Sequence, residues 1–307
     1  MSQKKEQITI AVIGDVHNQW DKQDDLALQH LGVDLVLFVG DFGNEAVEVV
    51  RKIAAVETPK AIVMGNHDAW YSASSWGKQK APYDQSVEDR VQQQLDLLGD
   101  THVGFSKLDF EDYNLSVIGG RPFSWGGSSW RNGQFYSDRY NVKSFTESTQ
   151  KIVTSAKETA CENLIIIGHN GPFGLGNKTE SICGRDWKSE GGDYGDPDLQ
   201  NAIAEIKDLD KSISLVTFGH MHHALKYPSG KRRTVVEVQD DIVYLNAACV
   251  PRVIKSDQGL NRSFSLVSLQ QGIVKEISLV WLDSDFAITS NEILYTSEMK
   301  NRENSEP

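Results

Sequence analysis

Cysteine is scarce in this chain. Its 307 residues include three, Cys161, Cys183 and Cys249. The number is odd, the spacing is wide and none stands in a Cys-x-x-Cys pair. This argues against a disulfide framework or a thiolate metal site, and for reduced thiols in a cytosolic protein. Long apolar runs are missing as well, and no stretch approaches the ~20 residues needed to span a bilayer. The polar residues 1–7 have neither the apolar stretch of a signal peptide nor the Arg/Ser-rich length of a transit peptide. The expected location is cytoplasmic, with no membrane partner. Excess positive charge is the third absence: 31 Lys and Arg face 43 Asp and Glu, a net charge of −12. Such a surface disfavours a stable nucleic-acid partner or an anionic membrane. An acidic protein can still hold a phosphate where metals or local cations reverse the field in one pocket.

What is present is ordinary globular material, 39% hydrophobic and 24% charged, enough for a sizeable core. Short β-branched runs, each closed by glycine or a polar motif, read as buried strands at 8–13, 34–39, 60–64, 115–118, 163–167, 213–218, 235–238 and 242–245. Helical patterns lie between them at 21–31, 45–56, 87–98, 145–159 and 197–209, the last with Asp196 as N-cap and Pro197 at the first helical position. Strand–helix alternation in the first half predicts a largely parallel sheet, and the strand-rich second half predicts antiparallel pairing. An α/β sandwich of two sheets flanked by helices satisfies both halves. No repeat or linker divides residues 1–286, and residues 287–307 read as a polar C-terminal tail. Residues 119–140 and 168–196 are glycine-rich and poor in regular signals, as functional loops are.

Five of the strand ends carry polar motifs. They are Gly14-Asp15-Val16-His17-Asn18, Gly40-Asp41-Phe42-Gly43-Asn44, Gly65-Asn66-His67-Asp68, Gly168-His169-Asn170 and Gly219-His220-Met221-His222-His223. Ligands gather at the carboxyl ends of strands in open α/β sheets, and glycine there lets the next side chain turn into the crevice. Carboxylate, imidazole and amide converge without thiolate, a donor set for Mn²⁺, Fe²⁺, Zn²⁺ or Mg²⁺. On an extended segment, the spacing of Asp15-x-His17 and His220-x-His222 puts each pair on one face. A lone Asp-x-His is common in turns, and His30, His102 and His223 read as ordinary surface or core histidines. The weight lies in the set: the other five of eight histidines all occupy ligand-like positions in these motifs.

In this order the motifs resemble the calcineurin-like metallophosphoesterase superfamily over residues 8 to about 248. Residues 120–127 and 14–24 also resemble a branch found in cyanobacteria and plastids. The resemblance implies a four-layer sandwich of two mixed β-sheets flanked by α-helices, with a dimetal site at one edge. It places Asp15, His17 and His222 on the first of two divalent cations, Mn²⁺ foremost, and Asn66, His169 and His220 on the second. Asp41 would bridge them. His67 would contact the phosphate and assist the leaving group, with Asp68 beside it in a variable acidic position and Asn66 also near the substrate. Two metals about 3.5–4 Å apart clamp the attacking and leaving oxygens of an in-line displacement and generate hydroxide from bound water near neutral pH. What remains is protonation of the leaving alkoxide, which suits histidine.

The resemblance loosens after Asp41, where Ser/Thr protein phosphatases carry an arginine that grips the phosphate. Here the segment runs Phe42-Gly43-Asn44-Glu45, and the third motif ends in Asp68 rather than glutamate. Arg121, Arg131 and Arg139 in the first glycine-rich stretch are candidate substitutes, since guanidinium binds phosphate bidentately. The function expected is hydrolysis of a phosphomonoester, on a phosphoprotein or a small metabolite. An alternative is a nucleotide or cyclic-nucleotide phosphodiesterase, with Trp125, Trp130, Phe135 and Tyr136 stacking a base. A non-catalytic interaction module of the same fold is disfavoured, because no ligand position is missing.

Overall fold

A computed structural model describes residues 5–256 and 259–298. The chain opens with β1 (Gln7–Ile13), α1 (Lys22–His30), β2 (Leu35–Phe38), α2 (Val47–Ala54) and β3 (Lys60–Ile62). There follow α3 (Ser75–Lys80), α4 (Arg90–Leu98), β4 (Lys107–Phe110), β5 (Leu115–Gly119), α5 (Gly133–Tyr140) and α6 (Phe145–Lys157). The second half holds β6 (Asn163–Ile167), α7 (Pro197–Lys207), β7 (Ser212–Phe218), β8 (Val236–Gln239) and β9 (Ile242–Asn246). It ends with β10 (Val253–Ser256), β11 (Gly259–Gln270), β12 (Ile273–Leu282) and β13 (Ile288–Thr296). No helix among the described residues is long and apolar enough to cross a membrane.

The strands form two mixed sheets, ordered β13-β12-β11-β1-β2-β3, with β10 added against β11, and β4-β5-β6-β7-β9-β8. Near-continuous apolar runs make this possible, because both faces of a central strand are covered. In β1, Ile8, Ile10 and Val12 face the other sheet while Ala11 and Ile13 face helices; in β2, Leu35 and Leu37 divide from Val36 and Phe38 in the same way. From the second sheet Leu115, Val117, Ile165, Ile167, Leu215 and Leu245 fill the space between. Outside the first sheet lie Leu28 of α1, Val50 and Ile53 of α2, Val91 of α4 and Tyr136 of α5. Outside the second lie Ile152 of α6 and Leu199 and Ile203 of α7. The result is the expected four-layer α/β sandwich.

Connection chemistry sets the direction of each strand. β1, β2 and β3 run parallel through helical crossovers, as do β5, β6 and β7. The β8–β9 and β11–β12 hairpins turn on two residues each. Those residues, Asp240 and Asp241 (φ 53° and 66°) and Gln271 and Gly272 (φ 51° and 78°), take the left-handed conformation that tight hairpins require. Because β1, β2, β3, β6 and β7 point the same way within their sheets, their polar motifs emerge at one edge of the sandwich.

Three differences from the sequence reading have local causes. Residues 288–296, assigned to the tail, form β13 as an edge strand on β12. Only Tyr295 in it is buried, so no alternation of burial marked it as a strand; residues 299–307 of the tail lie outside the described residues. The glycine-rich stretch 119–140 ends in a helix, α5, whose Phe135 and Tyr136 enter the core. Asp196 occupies the N-cap position of α7 but makes no capping bond, because its carboxylate binds Arg121 and Ser124 instead.

Candidate metal centre

Three of the five motif loops are held in unusual backbone shapes. Asp15 (φ 51°), His17 (φ 43°), Asp41 (φ 58°) and His220 (φ 67°) all take the left-handed conformation, which costs a non-glycine residue about 1–3 kcal/mol. Asp15 and His17 therefore reach one place through a tight turn rather than on one face of an extended strand, whereas His220 and His222 part, His222 joining Asp15 and His17 and His220 joining Asp41 and His169. Neighbouring glycines make room for this. Gly40 (φ 90°) passes so close to the third motif that an added Cβ would sit 2.4 Å from the Gly65 nitrogen. A Cβ on Gly65 would sit 2.2 Å from Asp41 Oδ1.

Asp15, His17 and His222 converge. Asp15 Oδ1 lies 3.3 Å from His222 Nε2 and 3.7 Å from His17 Nε2, and the two imidazole nitrogens are 3.4 Å apart. The other Asp15 oxygen accepts the His220 backbone N–H at 2.8 Å. A second group joins Asp41, His169 and His220: His169 Nε2 lies 3.2 Å from Asp41 Oδ1 and 3.0 Å from Asn66 Oδ1. Asp41 also belongs to a group with His17 and His67, so its carboxylate stands between the two halves of the site. All seven residues expected to be ligands thus meet at this edge.

The electrostatics suit cations. Asp15 and Asp41 are buried, and Asp15 Oδ1 has no hydrogen-bond partner. Burial opposes the charge on Asp41, but His169 and then His67 outweigh it and hold its pKa well below the usual carboxylate range. Burial likewise opposes charge on His169, yet Asp41 raises it to about 10. Burial, and then the His169 charge, push His220 down to about 3, leaving a neutral imidazole with a free lone pair. The His169 Nδ1–H donates to the Val39 carbonyl at 2.8 Å, which aims Nε2 at Asp41, as a second partner does for metal-binding histidines. An orphaned buried carboxylate oxygen amid imidazole and amide donors fits hard or borderline divalent cations.

His67 stands beside the ligand groups. Its Nδ1 lies 2.5 Å from Asn44 Oδ1 and its Nε2 lies 3.9 Å from Asp41 Oδ2. Its ring stacks on Trp70 at 4.4 Å, and Trp70 stacks on Trp125 at 5.2 Å. Burial, more than any neighbour, lowers its pKa. Asp68 does not join it at the cleft. It is fully buried, and its carboxylate accepts backbone N–H bonds from Asp41 (3.0 Å), Phe42 (2.8 Å) and Gly65 (2.7 Å). Its place is to clamp the second and third motif loops together.

The expected phosphate-gripping arginines are mostly committed elsewhere. Arg121 is buried between Asp196 (2.9 Å) and Asp198 (2.8 Å). Arg139 pairs with Asp89, the N-cap residue of α4, at 2.6 Å. Arg131 lies over the Tyr194 ring at 5.9 Å, and that ring lies parallel to His220 at 6.4 Å. Of the aromatics expected to stack a base, Phe135 and Tyr136 are buried and Trp130 packs against the same core, which leaves Trp125.

An open cleft of about 180 Å³ lies over the cluster, lined by Asp41, His67, His220 and His222 and also by Asp186, Trp187, Lys226 and Arg233. Asn44, Trp70, Trp187 and Lys226 are neighbours of the site that the sequence reading passed over. Asn44 and Trp70 follow motif residues within four positions and were within reach; Trp187 and Lys226 stand in no pattern.

A family model for calcineurin-like phosphoesterases matches residues 8–224, which span all five motifs. The chain belongs to that family. Its members carry a dimetal site, and this one is a metal-dependent phosphoric ester hydrolase. One solved structure aligns at a TM-score of 0.52 with 12% identity, covering 89% of this chain and 98% of its own, a likeness of fold. A dimetal phosphatase from Danio rerio aligns at 0.47, with 11% identity over 94% and 99% of the two chains. A novel archaeal phosphodiesterase aligns at 0.36, with 10% identity over 90% and 100%. Comparison with the curated proteins finds no significant match.

Proposed function

We propose that this hydrolase cleaves a phosphomonoester with a pair of divalent cations, Mn²⁺ foremost. In this reading Asp15, His17 and His222 hold one cation, Asn66, His169 and His220 hold the other, and Asp41 bridges them. The observation that carries it is the shared position of Asp41 between groups of imidazoles, with the unpartnered Asp15 oxygen beside it. Bound cations supply Lewis acidity at the phosphoryl oxygens and an attacking nucleophile drawn from water. The chain's own residues do the rest. The Asn44 amide oxygen accepts the His67 Nδ1 proton and so turns Nε2 toward the cleft. When the ring is also protonated at Nε2, as an imidazolium, that second proton passes to the leaving oxygen as the P–O bond breaks, leaving the neutral Nδ1–H ring. The clamp on Asp68 holds Asp41 and Gly65 in register, so that catalysis draws on positioning already present in the fold.

The small volume of the open cleft, about 180 Å³, supports a monoester over a bulkier diester. Comparing 4-nitrophenyl phosphate with bis(4-nitrophenyl) phosphate, after Mn²⁺ loading, tests this. A clear preference for the monoester supports the reading; preference for the diester overturns it in favour of a nucleotide phosphodiesterase.

A further inference from the structure

Two groups at the mouth of the cleft have no part in holding metal or moving a proton. Trp187 is 45% exposed, yet it is carried on a well-fixed turn. That turn is closed by a bridge between Gly184 and Asp193 and by the Arg185 N–H, which donates to the Gly192 carbonyl at 2.8 Å. The Arg185 guanidinium also donates to the Gly191 carbonyl at 2.7 Å. The Trp187 ring meets Tyr194 edge to face at 4.6 Å, continuing the wall that Tyr194 forms along His220. Lys226 comes from the loop after β7. Its backbone N–H donates to Asp186 Oδ2 at 2.7 Å, and Asp186 in turn faces Arg233 at 3.5 Å. The carboxylate next to Trp187 thus ties the turn to the Lys226 loop, and both residues line the same cleft.

Charge accounting singles out Lys226. Arg233 is buried and spends its donors on the carbonyls of Thr179, Ser181 and His222. Among the described residues, the Lys226 ammonium has no hydrogen bond or ion pair, while its charge is felt at His222. A free cation and a half-exposed indole, both lining a phosphoryl-transfer cleft, are complementary to two parts of one ligand. An ammonium serves as a point charge for phosphate, and an exposed indole offers a stacking face for a flat ring.

We propose that Lys226 and Trp187 select the substrate, Lys226 meeting the outward phosphate oxygens and Trp187 stacking on an aromatic or heteroaromatic ring in the leaving group. This rests on the phosphomonoesterase reading and names the substrate class for it. The test uses the Mn²⁺-loaded full chain with phenyl phosphate and tyrosine phosphate, a nucleoside 5′-monophosphate, and the ringless glycerol phosphate. Wild type should favour a ring-bearing ester in kcat/KM, and whether the aryl or the nucleoside arm leads identifies the source of the ring. Trp187→Ala should cut the ratio of ring-bearing to ringless kcat/KM about tenfold, mainly through KM, and Trp187→Phe should restore most of it. Lys226→Gln should weaken inhibition by inorganic phosphate about tenfold, and Lys226→Arg should recover it. Metal content and melting temperature, unchanged in all four variants, separate these effects from damage to the centre. Hydrolysis of every ester with no dependence on a ring, or equal losses across esters in Trp187→Ala, overturns this inference alone. No hydrolysis of any ester by wild type overturns the phosphomonoesterase reading, and the inference with it.

Discussion

Gly65→Ala is the smallest change that should disable the centre. Gly65 has φ −96° and ψ 176°, a conformation open to any residue, so backbone strain plays no part. The added methyl would stand 2.2 Å from Asp41 Oδ1, 2.4 Å from the Asp41 nitrogen and 2.7 Å from His169 Cε1. Ordinary contact needs about 3.5 Å, so Asp41, His169 or the loop must shift by roughly 1 Å. Overpacking of this kind costs about 1–3 kcal/mol of stability. A displacement of that size at reacting groups lowers turnover by about a hundredfold, and metal ligands tolerate only about 0.2 Å. The assays are phosphoesterase activity, bound metal per chain and the melting temperature. Gly32→Ala is the control: it takes a left-handed glycine (φ 64°) with nothing within 4 Å, so it should cost about 1 kcal/mol in stability and no activity. A Gly65→Ala protein with wild-type kcat/KM and full metal content would refute the close packing of the bridging carboxylate.

Asp68→Asn replaces one oxygen of a carboxyl group that receives three backbone N–H bonds. It should cost about 2–4 kcal/mol by urea unfolding and weaken metal binding, whereas an unchanged midpoint would remove Asp68 from the clamp. Arg121→Met leaves Asp196 and Asp198 buried without their cation and should cost about 3–5 kcal/mol. Arg139→Ala, at an exposed pair, should cost no more than about 1 kcal/mol, with activity unaltered; a lower kcat/KM in Arg139→Ala would return that residue to the substrate. Burial pushes the His102 pKa down to about 4, against about 6.5 when unfolded. The unfolded chain therefore takes up the proton first, so this group's contribution is full above pH 6.5 and is lost as pH falls toward 4, by up to about 3 kcal/mol. His102→Gln should flatten the acid side of a stability–pH curve between pH 7 and 5, and a curve that keeps its slope would contradict this.

The sequence was most readable where one residue had to serve one purpose. β1 and β2 announce themselves because strands covered on both faces leave no room for polar residues. The loops that follow them are marked by glycine and by imidazole or carboxylate side chains with little reason to stand after buried strands. β13 escaped because an edge strand with one buried side chain, Tyr295, carries no alternation to detect. Asp68 and Arg121 show a second limit. Their residue types suit a site, but which way a buried charge faces depends on partners distant in sequence, Asp41 and Phe42 for one, Asp196 and Asp198 for the other. Trp187 and Lys226 come to line one cleft through Asp186, which joins their two loops by a contact that no local pattern encodes.

Metal content is the direct test of the centre itself. Purified chain, stripped and then reloaded with Mn²⁺, should bind two equivalents by elemental analysis, and hydrolysis of 4-nitrophenyl phosphate should rise in step with occupancy. Asp41→Asn, which weakens the bridge, should lose at least one equivalent together with most of the activity. Wild-type protein that binds no divalent cation at any supply, or that hydrolyses the ester equally well when stripped, would contradict a dimetal hydrolase.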